Sequence, residues 1–233
     1  MVSITIDTDW VVPEILADTM GLLAYYGQTA TVFCTSEYSP DLIGRHETAL
    51  HPNYFDRSLS EEDHVKRMLD LYPEAIGIRG HGLYFNGRLM TDIYPRHGIK
   101  YSSDYMMPYM EGIRPFRLVE LWEMPIYFSD MTWLRLKNTK QAAAPLAEGN
   151  FTVENLYVFC FHPIHIYLNT PSVDYYGGIK AYYHDYQYLK TRRQTGATGA
   201  RDMLLSLLER MKSLKIQSKP LGEILKTVAG RGC

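Results

Sequence analysis

Short apolar runs rich in β-branched residues alternate with stretches of helical periodicity through most of the chain. Ser3-Ile4-Thr5-Ile6 is a strand that stops abruptly at Asp7-Thr8-Asp9. Pro13-Glu14 then opens a helical pattern carrying Ile15, Leu16, Met20, Leu22 and Leu23, with Gly27 where a C-terminal glycine would stand. Thr29 to Cys34 is a second strand. Strand, helix, strand predicts a parallel pair with a right-handed crossover, and in such sheets ligands gather at the carboxyl ends of the strands. Ser60-Glu61-Glu62-Asp63 resembles a capping box at the start of a helix that Pro73 ends. Further strands are predicted over Ala75–Arg79, Gly98–Ser102, Leu118–Pro125 and Asn155–Phe161, and 141–149 is an alanine-rich connection, helical or loop. From about Asp174 the pattern turns helical, over Ile179–Lys190, Arg201–Leu214 and Leu221–Val228.

The 233 residues suit one domain, 1–233, with 174–233 as its helical C-terminal part. The net charge of −2, with no basic stripe beyond Lys190-Thr191-Arg192-Arg193, argues against nucleic acid as a partner. Cys34 and Cys160 lie in apolar strands without metal-type spacing and read as core thiols of a reducing compartment. No run approaches the roughly 20 apolar residues of a membrane span, and the first strand follows the start directly, so a cytoplasmic protein is expected. The 19 tyrosines suit either a sugar- or partner-facing surface or an aromatic core.

Alternation sends Asp7 and Asp9 to the same face of a strand, roughly 7 Å apart. They are either a site or a turn in which Asp9 caps the following helix. His46 and His51 are five residues apart, so on a strand they face opposite ways, and Pro52 holds His51 extended; His51 is the better ligand. Arg79 ends an apolar strand and needs a carboxylate if buried, for which Asp7 is available; the alternative is an exposed arginine leaving the strand. Phe161 runs into His162-Pro163-Ile164-His165, again bringing protonatable groups to a strand end. Gly77-x-x-Gly80-x-Gly82 has no clear helix behind it and is not a phosphate loop.

In this order the residues resemble the polysaccharide deacetylase superfamily, the carbohydrate esterases with a nodulation-type chitooligosaccharide deacetylase homology domain. Ile4 to Asp9 is similar to its Thr-Phe-Asp-Asp motif, Ala30-Thr31-Val32-Phe33 to Ala-Thr-Phe-Phe, and His46 to His51 to the His-Glu-Ile-Gly-x-His run. Arg79 fits the third motif's arginine, Glu123-Met124-Pro125 is like Glu-Ile-Pro, and Phe161-His162 stands where Leu-His closes the fifth. The resemblance covers about Ser3 to Leu168. It implies an α/β fold: a distorted, incompletely closed (β/α) barrel of about seven parallel strands, here with C-terminal helices. It further implies Asp7 as general base, Arg79 holding it, His162 as general acid, and Asp9 and His51 as ligands of a divalent metal, zinc or else cobalt or nickel.

Two departures stand out. Thr8 separates the usually adjacent aspartates, and Phe55 occupies the family's second metal histidine. A third ligand must come from His165, His81 or His46, and His165 is expected because it can reach round from the next strand end. The expected activity is hydrolysis of the N-acetyl group of a sugar in a cell-surface polysaccharide precursor, O-antigen or similar, with Trp122 or Tyr101 as a wall for the ring. The alternatives are a metal-free amide hydrolase or deformylase on the same fold, or an inactive sugar-binding relative.

Overall fold

The computed structural model describes residues 1–136, 151–152 and 154–230; the connection expected over 141–149 lies outside them. β1 (Val2–Asp7), α1 (Pro13–Tyr25) and β2 (Ala30–Cys34) form the expected strand–helix–strand unit, with β1 and β2 parallel. Pro13 sits in the first turn of α1, where its missing N–H leaves nothing unpaired. The short α2 (Pro40–Ile43) leads to β3 (Glu47–Leu50), and α3 (Glu61–Leu71) starts where the Ser60 hydroxyl accepts the Asp63 N–H. β4 (Gly77–Ile78), α4 (Tyr94–Arg96), β5 (Tyr101–Ser102), β6 (Phe116–Leu118), β7 (Leu121–Glu123) and β8 (Phe128–Ser129) follow. α5 (Asp130–Leu136), β9 (Tyr157–Phe161) and α6 (Pro163–Leu168) lead into α7 (Val173–Ile179), α8 (Tyr186–Leu189), α9 (Ala200–Ser213) and α10 (Leu221–Ala229).

One sheet runs β6-β7-β5-β4-β3-β2-β1-β9-β8, and every neighbouring pair is parallel except the β6–β7 hairpin. About seven parallel strands were expected; among the described residues there are eight, and an antiparallel ninth. The segment between β7 and β8 carries the chain from one side of the sheet to the other. There Ile126 N–H donates to Tyr105 O at 2.8 Å and Tyr127 N–H to Val158 O at 2.9 Å, drawing the sheet round into a distorted barrel.

Two expected elements differ. Leu118–Pro125 is a hairpin, with Val119 at φ 55° in its two-residue turn; a β-branched residue in that conformation gives no turn signal. The helix expected over Ile179–Lys190 is interrupted, because the Asp185 side chain accepts the Tyr188 N–H and starts α8 afresh.

Alternation divides the buried residues between two faces. Ile4, Ile6, Val32, Phe159 and Phe161 pack outward against Ile15, Leu16, Leu204 and Leu208 of the covering helices. Phe33, Ala49, Val158 and Cys160 cluster on the inner face with Leu221, Ile224 and Leu225 of α10. Helix α10 is held at the amino ends of the strands. Lys219 N–H donates to Val2 O, Leu221 N–H to Thr31 Oγ1 at 2.8 Å, and Gly222 N–H to Glu47 Oε2 at 3.0 Å. The Glu47 carboxylate thus meets the positive end of the helix dipole. The C-terminal helix plugs one end of the barrel and leaves the other, where Asp7 lies, open.

Ile224 is fully buried in that plug. Ile224→Ala is expected to lower stability by about 2–5 kcal/mol in urea denaturation; a change within about 0.5 kcal/mol, as at surface sites, would contradict the plug.

Candidate active site

β1 ends at Asp7, and the next three residues are clasped to β2. Thr8 and Thr35 hydroxyls lie 3.0 Å apart, Thr35 N–H donates to Thr8 Oγ1, and Trp10 N–H donates to Thr35 Oγ1 at 2.7 Å. Asp9 (φ 44°) and Trp10 (φ 60°) are thereby held in the left-handed region, which side chains resist. The two carboxylates therefore converge through a strained turn and not through strand alternation.

Arg79 is wholly buried, so it must be paired. Its Nη1 donates to Asp7 Oδ1 at 2.6 Å and Thr5 Oγ1 at 2.9 Å, while Nε and Nη2 donate to Ser103 O and Oγ at 2.7 Å each. The guanidinium also lies over the Phe33 ring at 4.1 Å. Burial alone would raise the Asp7 pKa, but Arg79, His51 and His162 outweigh it and leave Asp7 below the usual carboxylate range.

His51 follows β3; its Nδ1–H donates to Arg79 O at 2.7 Å, and its other ring nitrogen, Nε2, lies 3.2 Å from Asp9 Oδ1. His81 Nδ1 approaches the same oxygen at 3.1 Å. The turn bearing His81 needs its flanking glycines: Gly82 has φ 65°, and a Cβ on Gly80 would meet Tyr84 O at 2.1 Å. The donor atoms of Asp9, His51 and His81 all lie within 4.8 Å of one another. Two imidazole nitrogens and one carboxylate oxygen, with one imidazole fixed from behind by a carbonyl, form a set that suits a divalent ion of zinc type. Burial would raise the Asp9 pKa, yet hydrogen bonding to His51 and His81 takes it well below the ordinary value.

His162 caps the start of α6, and Asp130, fully buried at the head of α5, holds it twice. Asp130 Oδ1 accepts from His162 Nδ1 at 2.6 Å and Oδ2 from its N–H at 2.7 Å. His162 Nε2 thus points at the carboxylates, 3.7 Å from Asp9 Oδ2 and 4.0 Å from Asp7 Oδ2. Burial would lower the His162 pKa; Asp130, then Asp9 and Asp7, push it up to about 10.

Asp7, Asp9, His51, Arg79 and His162 therefore gather at one barrel end, as a set. His165 does not join the Asp9 group. Its Nδ1 meets the Thr170 hydroxyl at 3.1 Å, its ring packs on Tyr176, and burial lowers its pKa to about 4. His81 stands where His165 was expected, beside Phe55, whose ring centroid is 6.4 Å from that of His81. His46 instead accepts the Ala30 N–H away from the site. Tyr101 is buried inside the barrel, and the cavity of about 670 Å³ above the carboxylates is walled by Trp10, Tyr176 and Tyr183, not by Tyr101 or Trp122. No role was expected for Asp130; its signal was of the same kind as that of Asp7, a carboxylate at the carboxyl end of a strand.

The WbmS-like polysaccharide deacetylase family matches residues 4–180. The chain belongs to that family. A Bordetella bronchiseptica structure named as a polysaccharide deacetylase involved in O-antigen biosynthesis aligns with TM-score 0.79 and 25% identity over 90% of each chain. A polysaccharide deacetylase structure from Mycobacterium smegmatis aligns at TM-score 0.55 and 15% identity, covering 99% of this chain and 90% of that one. The family 4 carbohydrate esterase of Streptomyces lividans, solved with acetate, aligns at 0.50 and 11% identity over 93% and 90%. The latter two are likenesses of fold. No curated protein matches in sequence. Among the described residues of this WbmS-like chain, no helix is long and apolar enough to cross a membrane.

The Asp130–His162 pair predicts a pH signature. The folded value of about 10 lies above the unfolded value near 6.5, so the pair's stabilisation is complete below about pH 6.5 and is lost as pH rises through about 10. In metal-free protein, NMR titration should find the His162 ring still protonated at pH 8 and titrating markedly lower in Asp130→Asn; a wild-type ring titrating near 6.5 would contradict this.

Proposed function

We propose that the protein hydrolyses the N-acetyl group of an amino sugar in a surface-polysaccharide precursor. The observation that carries this reading is the grouping of Asp9, His51 and His81 opposite Asp7 and His162 in one cavity. Asp9, His51 and His81 would hold a divalent ion, zinc or a similar metal. Such an ion supplies Lewis acidity, lowering the pKa of water from about 15.7 toward about 7 and polarising a carbonyl.

The remaining residues have separable tasks. Asp7, kept ionised by Arg79, accepts the proton of the attacking water. His162, protonated and fixed by Asp130, donates its Nε2 proton to the leaving nitrogen as the C–N bond breaks. Acetate and the free amine result. Thr8 between the two aspartates supports dividing their roles: Asp7 is tied to Arg79 and the Cys160 thiol, while Asp9 faces the two imidazoles. The O-antigen pathway of the similar Bordetella protein supports a polysaccharide precursor as the substrate source.

The test is acetate release from a panel of N-acetylated hexosamines and their nucleotide-linked forms. Metal-loaded wild type should release acetate, and Asp7→Asn and His162→Asn should each be slower by about 10²–10⁴-fold with metal content retained. Release of formate, or a fully active Asp7→Asn, would overturn the reading.

A further inference from the structure

The cavity is larger than the reacting groups require, falling in the range of about 300–1,000 Å³ that holds drug-sized ligands. Its charged lining is divided. The carboxylates Asp7 and Asp9 lie at the strand ends, whereas α5 and the segment after α7 contribute Arg135, Lys180 and His184, with no carboxylate among them. These three residues are exposed at the rim. Arg135 and Lys180 form no side-chain hydrogen bond or ion pair with any described residue, although the chain as a whole carries a net charge of −2. Asp185, the adjacent carboxylate, caps α8 and does not line this cavity.

A second observation concerns the same wall. Tyr183 lines the cavity between Lys180 and His184, and its hydroxyl is buried without a hydrogen-bond partner. Buried hydroxyls are ordinarily paired, so this one has a donor to spare beside the two cations.

We propose that this wall is a subsite for an acidic group of the substrate, a carboxylate or phosphate borne on or next to the acetamido sugar. The inference rests on the deacetylase reading and names its substrate class. Arg135 can hold a planar carboxylate or a phosphate with two parallel hydrogen bonds, and Lys180 adds a mobile point charge. The Tyr183 hydroxyl, buried behind them, becomes available to a sugar or acid oxygen with a small shift of its ring. Unpaired cations round one opening also steer an anion inward. Two sources carry this chemistry: a uronic acid carboxylate, or the diphosphate of a nucleotide-linked sugar.

Calorimetric binding to the zinc-loaded protein tests it with three probes: methyl N-acetylglucosaminide, its 6-carboxylate analogue, and uridine diphosphate N-acetylglucosamine. At least one acidic probe should bind about tenfold or more tightly than the neutral one, as expected for charge-assisted hydrogen bonds. Which one binds identifies the source. In the Arg135→Gln/Lys180→Gln double variant, checked for unchanged zinc content and melting temperature, that ratio should fall close to one. Equal affinities in the wild type, no binding of either acidic probe at millimolar concentration, or a preference that survives in the double variant would overturn the subsite. Acetate release from a neutral acetamido sugar would leave the deacetylase reading standing in each case.

Discussion

The buried contact between Arg79 and Asp7 is the constraint on which the site depends. An arginine with no exposure inside a barrel is tolerable only if its charge and its donors are met, and Asp7, Thr5 and Ser103 meet them. Removing one partner of such a pair costs about 3–5 kcal/mol because the other charge is left buried. The same residue works through its backbone: its N–H donates to Leu50 O, and its carbonyl accepts from His51 Nδ1. One arginine therefore ties the end of β1 to the end of β3. It orients a carboxylate with its side chain and an imidazole with its main chain.

His162 and His165 show how environment assigns chemistry to the same residue type three positions apart. Burial disfavours the charged form of both. A carboxylate at 2.6 Å reverses this for His162, raising it to about 10, whereas His165, with its Nδ1 on the Thr170 hydroxyl at 3.1 Å and Asp130 and Asp9 acting too weakly to offset burial, falls to about 4. One ring is held charged by its carboxylate; the other is neutral and packed on Tyr176.

The parallel unit at the start, the carboxylates at a strand end and the partner of Arg79 were legible in the chain because each follows from local pattern and elementary electrostatics. Strand order and curvature were not, since the stitches at Ile126 and Tyr127 join residues distant in sequence. His165 was expected ahead of His81, and the structure brings His81, not His165, to Asp9. Proximity to His162 along the chain suggested reach, but α6 sets the His165 Nδ1 on the Thr170 hydroxyl, whereas the Gly80–Gly82 turn carries His81 back over Asp9. The hairpin at Val119 and the capping Asp185 are likewise tertiary outcomes that local propensity hides.

The central claim is that Asp9, His51 and His81 form one ion-binding set in which His81 substitutes for the histidine that Phe55 displaced. Its most direct test is the zinc content of loaded and desalted wild type, His81→Ala and His165→Ala, measured by elemental analysis. The account predicts close to one ion per chain (~1) in wild type and in His165→Ala, with most of it lost in His81→Ala. Retention in His81→Ala with loss in His165→Ala would contradict it.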